Sequence, residues 1–91
     1  MLLAVDIGNT HTVIGVFKNG DMAEKFRFTT NSNDTADEVS LKVRGLLSEC
    51  GLGKEDITDV IIACVVPPIL LPYCQMARSV FNVKPVSVGP G

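Results

Sequence analysis

Leu2-Leu3-Ala4-Val5-Asp6-Ile7-Gly8-Asn9-Thr10-His11-Thr12-Val13-Ile14-Gly15-Val16-Phe17 carries two apolar runs separated by a polar, glycine-bearing bend. Leu2–Val5 and Val13–Phe17 read as buried strands and residues 6–12 as the bend between them. A strand that delivers a carboxylate into a tight turn incurs a desolvation cost unless the carboxylate has a partner or a task. Gly8, lacking a Cβ, lets the backbone come close to a ligand. Asn9, Thr10 and Thr12 add amide and hydroxyl groups, and successive N–H groups in such a bend form an anion-binding concavity. Asp6 repels a phosphate directly but reaches one through a hydrated Mg²⁺, the usual carboxylate role in phosphoryl transfer. An ordinary hairpin is the alternative, since Asp, Gly and Asn are common turn formers. A strand rather than a helix follows the glycine, which excludes the dinucleotide-binding and P-loop motifs.

Downstream, Lys18-Asn19-Gly20-Asp21 holds the Asn-Gly pair of tight hairpins. Met22–Thr29 reads as a third strand, with Phe26 and Phe28 on one face and Lys25 and Arg27 on the other. The polar loop 30–34 leads to a helix starting at Asp34 or Thr35, where Thr35-x-x-Glu38 has capping-box spacing. Ala36, Val39, Val43, Leu46, Leu47 and Cys50 form an apolar stripe at helical spacing, and Gly51 suits its stop. Asp37, Glu38, Lys42, Arg44 and Glu49 read as its solvated face. Gly53–Asp56 reads as a loop. Val60–Val66 reads as a central strand covered on both faces, parallel to the first strand through a right-handed crossover. Pro67-Pro68 stops it, and Ile69–Phe81 reads as a second helix in which Pro72 is tolerated only within the first turn. Val83–Val88 reads as a fifth strand.

The order βββαβαβ predicts a ribonuclease-H-like α/β lobe: a mixed five-stranded sheet, three strands antiparallel and two more parallel, with helices packed on it. Ligands of such sheets collect at the carboxyl ends of the parallel strands. Asp6-Ile7-Gly8 and Val66-Pro67-Pro68 are therefore expected to meet at one edge.

Ninety-one residues suffice for one domain with a modest core. Ten acidic against eight basic side chains, a net charge of −2, leave no basic face for nucleic acid and no attraction to an anionic membrane. No apolar run reaches the ~20 residues needed to span a bilayer. Met1-Leu2-Leu3 lacks the basic region of a signal peptide, so a cytoplasmic location is expected. Cys50, Cys64 and Cys74 are odd in number and show no C-x-x-C spacing, which predicts reduced thiols rather than a zinc site. The single histidine cannot build a multi-histidine metal site. His11 sits where it would touch a nucleotide, or serve as a solvated turn residue.

Residues 1–17 resemble the N-terminus of the type III pantothenate kinases. Thr35-Ala36-Asp37-Glu38 resembles that family's T-A-D-E helix start, and Val65-Val66-Pro67-Pro68 its V-V-P motif. Val88-Gly89-Pro90-Gly91 resembles the segment leading into its pantothenate-binding region. The resemblance implies the acetate kinase, hexokinase and actin superfold. It also implies ATP-dependent phosphorylation of pantothenate to 4′-phosphopantothenate, the first step of coenzyme A biosynthesis. Mg²⁺, a monovalent cation (K⁺ or NH₄⁺) and a homodimer belong to the same implication. Carried onto this chain, the ATP-phosphate element falls on Asp6, Ile7, Gly8, Asn9, Thr10, His11, Thr12 and Val13. Asp6 would organise Mg²⁺ through water, while the backbone of Gly8–Thr10 and the hydroxyls of Thr10 and Thr12 would hold phosphate oxygens.

The family's general-base Asp lies in a Gly-x-Asp-Arg motif that does not occur here. Its pantothenate pocket, cation ligand and adenosine-binding half also have no counterpart. Residues 1–91 are thus expected to be the N-terminal ATPase-type lobe of a two-lobed kinase, the second lobe absent, with no useful activity alone. Two alternatives stay open: a non-catalytic nucleotide-binding accessory or regulatory protein on the same lobe, and a phosphohydrolase of that superfold. The Thr35–Glu38 and Val65–Pro68 segments favour the kinase family over the phosphohydrolases.

Overall fold

The computed structural model describes residues 1–89, so Pro90 and Gly91 of the closing Gly89-Pro90-Gly91 stretch lie outside the described residues. β1 (Leu2–Ile7), β2 (His11–Lys18) and β3 (Asp21–Thr29) form the antiparallel meander. The β2–β3 turn places Asn19 and Gly20 at positive φ (53° and 84°), the backbone that makes Asn-Gly favourable there. The chain continues through α1 (Ala36–Glu49), β4 (Asp59–Cys64), α2 (Pro67–Phe81) and β5 (Val86–Val88). Strand order is β3-β2-β1-β4-β5, with β4 parallel to β1 and β5 parallel to β4. The ribonuclease-H-like lobe expected from the sequence is the fold.

Alternation along the strands sends one set of side chains to the helices. Leu3, Val5 and Ile7 of β1, Ile14 and Val16 of β2, and Val60 and Ile62 of β4 are buried in one cluster. Val39, Val43 and Leu47 of α1 join it, with Ile69, Tyr73, Met76, Ala77 and Phe81 of α2. Each large apolar side chain in that layer contributes about 1.5–3 kcal/mol by leaving water. Successive right-handed crossovers made in one direction along a sheet put their helices on one face. The other face is open: Ala4, Asp6, Val13, Gly15, Phe17, Ile61, Ala63 and Val88 line a shallow depression on it. This corrects the expectation that β4 is covered on both sides, because no described element lies over Ile61 and Ala63, which stay partly exposed.

Thr35 caps α1 with the reciprocal pair its spacing predicts. Its hydroxyl accepts from the Glu38 N–H (3.2 Å), and its own N–H donates to Glu38 Oε1 (2.9 Å). The bond from the Thr35 backbone, then that of its side chain, holds the Glu38 carboxyl below its ordinary range. Gly51, at φ 77°, ends the helix as expected. Lys42 departs from the solvated-face reading. It pairs with buried Asp34 and lies 5.3 Å from the centre of the Phe28 ring.

Other boundaries moved for physical reasons. Lys54–Asp56, expected as loop, is one 3₁₀ turn closed by the Gly53 N–H donating to Asp56 Oδ2 (2.8 Å). β4 ends at Cys64, and Pro67-Pro68 opens α2 instead of only stopping the strand. Proline suits a first helical turn because its fixed φ is helical and its missing N–H would have no partner there. Pro72 consequently lies in the second turn and leaves the Pro68 carbonyl without its usual donor. Asn82, at φ 56°, closes α2, so Val83–Pro85 is an exit loop and β5 is only Val86–Val88. At the other end, the Met1 ammonium donates to the Asp56 carbonyl (2.8 Å), and the Thr58 N–H donates back to the Met1 carbonyl (2.9 Å).

Candidate functional site

β1 runs parallel to β4 with Ile7 beside Cys64, and the Val65 N–H donates to the Ile7 carbonyl at 3.1 Å. Asp6-Ile7-Gly8 therefore meets the Val66-Pro67-Pro68 corner at the carboxyl edge of the parallel strands, as the topology requires. Beyond it, Cys64, Val65, Pro67, Leu70, Ser87, Val88 and Gly89 line a cleft between β4, β5 and the start of α2.

Asp6 is exposed, on the open face beside Val13 and Ala63. The one ion pair among the described residues is Lys42–Asp34, so the Asp6 carboxylate is not held in another. The bend that follows is closed by the Gly8 N–H donating to the His11 carbonyl (2.9 Å). Gly8 suits that close approach: a Cβ would stand 3.1 Å from the His11 carbonyl oxygen, so the bend would have to give by a few tenths of an ångström to admit one. Among the described residues, no backbone or side-chain acceptor takes the N–H of Asn9 or Thr10. Two successive unclaimed donors next to a free carboxylate are the pattern of a phosphate cradle with a metal-organising acid.

The eight residues assigned to this element divide by side. Asn9, Thr10 and His11 are exposed at the tip, while Val13 lies on the open face beside Asp6. Ile7 is fully buried, so only its backbone reaches the mouth. Thr12 is corrected. Its side chain is 1% exposed and faces the helices, so its hydroxyl holds no phosphate oxygen. Instead it lies 2.8 Å from the Thr30 hydroxyl, and that hydroxyl donates to the Gly8 carbonyl (2.8 Å). Tyr73 of α2 is buried in the same core. Burial first, then the Asp34 charge, pushes the phenol up to about 12, with the Thr12 hydroxyl opposing. Thr30 and Tyr73 were not singled out from sequence. Alternation back from Val16 and Ile14 was the available signal, since it puts Thr12 on the core face.

His11 Nδ1 lies 3.3 Å from Arg27 Nη2. A guanidinium has only donors, so Nδ1 accepts, and the ring proton sits on Nε2, directed away from the arginine. Asp34 is on the helix side with Lys42 and is no base for the mouth. Cys50, Cys64 and Cys74 are free thiols. Burial raises the Cys74 thiol, making it a poorer nucleophile. No group of three or more His, Cys, Asp or Glu side chains among the described residues is placed to hold a metal alone. Mg²⁺ fits this arrangement in another way, because it binds through one carboxylate while phosphates and water fill its other positions. No described helix is long and apolar enough to cross a membrane.

The fold is a ribonuclease-H-like lobe that recurs in solved structures of differing name. The hexokinase of the ROK type from Thermus thermophilus superposes with a TM-score of 0.68 at 13% identity, covering 97% of this chain and 34% of that one. The RuvC structure from Thermus thermophilus does so at 0.61 and 19% identity, covering 98% and 61%. At these identities the likeness concerns the fold alone. The family is shown by sequence: a model of the type III pantothenate kinases matches residues 2–91, and the chain belongs to that family. A relative from Syntrophobacter fumaroxidans, named type III pantothenate kinase, is 44% identical over the whole chain, which spans 35% of that protein's length. Membership sets the phosphohydrolase alternative aside.

Proposed function

We propose that this chain forms the ATP-phosphate-binding lobe of an enzyme that phosphorylates pantothenate to 4′-phosphopantothenate, opening coenzyme A biosynthesis. Family membership supports the reaction and the substrate pair. One observation supports the nucleotide's position: the unclaimed Asn9 and Thr10 N–H groups stand beside an unpaired, exposed Asp6. Phosphoryl transfer needs mainly positioning and charge neutralisation, and these residues offer both. The Asn9 and Thr10 N–H groups and the Thr10 hydroxyl hold phosphate oxygens, the Gly8 N–H being taken by the His11 carbonyl, and Asp6 would hold a nucleotide-bound Mg²⁺ through water. Mg²⁺, when bound, neutralises phosphate charge. A monovalent cation, a homodimer and a cytoplasmic setting complete the proposal. The free thiols agree with a reducing compartment.

In this reading residues 1–91 are one lobe of two, and the general base and the pantothenate pocket belong to the other. Titration with ATP in the presence and absence of Mg²⁺ tests the nucleotide part. Binding that Mg²⁺ strengthens and Asp6→Asn weakens is expected, and Mg²⁺-independent binding unaffected by that substitution refutes it. Phosphorylation of pantothenate by the 91-residue chain alone, lost in Asp6→Ala, would refute the two-lobe part. Nucleotide binding with no transfer even when the remaining two-thirds of a family member is joined to it would favour the accessory reading.

A further inference from the structure

We infer that Thr30, directly after β3, is a positioning residue that sets the direction of the Asn9 N–H, one of the two unclaimed donors in the β1–β2 turn. It touches the turn twice. Its hydroxyl donates to the Gly8 carbonyl and its N–H donates to the Thr10 carbonyl, both at 2.8 Å. A trans peptide is planar, with its carbonyl and the next N–H pointing in opposite directions. All peptide bonds among the described residues are trans. Drawing the Gly8 carbonyl toward Thr30 thus turns the Asn9 N–H away from it, and drawing in the Thr10 carbonyl does the same for the His11 N–H. An unclamped Gly8-Asn9 peptide would rotate, since neither the Gly8 carbonyl nor the Asn9 N–H has any other partner among the described residues.

The clamp is itself braced. Thr30 spends its hydroxyl proton on Gly8, so across the 2.8 Å contact Thr12 is the donor and Thr30 the acceptor. Hydroxyl dipoles therefore run one way, from Thr12 through Thr30 to the Gly8 carbonyl. Chains of this kind polarise one another and stiffen their end point. A turn held from beneath loses less freedom when a polyanion docks, which is where the affinity gain arises.

This inference rests on the nucleotide reading, and its test separates the two. Thr30→Val keeps the branched shape and removes the hydroxyl, whereas Thr30→Ser keeps the hydroxyl. ¹⁵N relaxation of the 91-residue chain without ligand reads the turn, and ATP–Mg²⁺ titration reads the consequence. In Thr30→Val the Gly8–His11 amides gain fast motion while the strands stay rigid, and affinity falls about tenfold, the equivalent of one hydrogen bond. Thr30→Ser restores both. Wild-type order and affinity in Thr30→Val would overturn the inference, as would equal losses in the Val and Ser variants. Should the parent chain bind no ATP–Mg²⁺, the nucleotide reading fails, and the relaxation comparison still decides whether Thr30 sets the turn.

Discussion

The β1–β2 turn and the amino end of α2 meet at the same edge of the sheet and offer opposite chemistry. A helix start is ordinarily a ready anion site, because its first N–H groups have no partners and its dipole is positive there. In α2 those positions begin with Pro67 and Pro68, which have no N–H, and the Ile69 N–H is spent on the Val66 carbonyl (3.1 Å). The turn, with no dipole behind it, keeps the Asn9 and Thr10 donors free. In the proposed reading charge recognition falls to the hairpin, while Val65, Pro67 and Leu70 make the neighbouring wall of the cleft apolar. On that reading unclaimed donors, rather than the type of element that ends at the edge, decide where an anion is received.

The strongest way to break this contrast is Asp6→Asn. If the turn works with a metal-organising acid, ATP–Mg²⁺ affinity drops about a hundredfold, the scale of losing one charge-stabilising group at a phosphoryl site. ATP without Mg²⁺ should bind no worse than before. Gly8→Val comes next. Its added Cβ presses on the His11 carbonyl oxygen at 3.1 Å and forces the bend open, so affinity falls about tenfold. Calorimetric titration reads both.

Tyr73 sharpens the contrast from beneath the turn. Its pKa is raised from 10 to about 12 on folding, so between those values the folded chain keeps a proton that the unfolded chain has lost. Its contribution to stability is full below about pH 10 and is lost as pH rises toward 12. Urea unfolding across that window should show the loss, and Tyr73→Phe should flatten it. As Tyr73 is the single tyrosine, its ionisation can be followed directly by absorbance. The smallest effect belongs to the helix corner. Pro67→Ala frees backbone in the unfolded chain and lowers stability by about 0.4–1 kcal/mol. ATP–Mg²⁺ affinity should change less than twofold, and a clear gain would show that α2 competes for the anion after all.

Much of this fold is written in local pattern. Leu3, Val5 and Ile7 alternate as β1 must, Asn19-Gly20 sets its hairpin, and Thr35 and Glu38 form the box their spacing predicts. The location of the candidate site was legible for the same reason, since strand order follows from element order and crossover handedness. Illegible was whatever depends on a partner far along the chain. Thr30 reaches Gly8 across 22 positions, through a β2–β3 register that shifts between Val16 and Phe17 and leaves Ala23 unpaired. Lys42 reads as solvated until the 30–34 loop places Asp34 against it. Thr12 was assigned outward by its residue type, although its parity with Ile14 and Val16 pointed inward. Pro67-Pro68 was read as a strand breaker, and nothing local distinguishes that from a helix opener.

The fastening of Met1 has a practical side. Its ammonium is bonded to the Asp56 carbonyl and lies 3.4 Å from the Thr58 hydroxyl, and Asp6 lies five steps of unbroken strand beyond that knot. At about 3.3 Å per residue, the lever between them is roughly 17 Å of stiff backbone. An affinity tag grafted ahead of Met1 would trade a charged group with three protons for an amide with one. That amide can keep at most one of the two contacts the ammonium makes, which loosens the fastening at the start of the strand that carries Asp6.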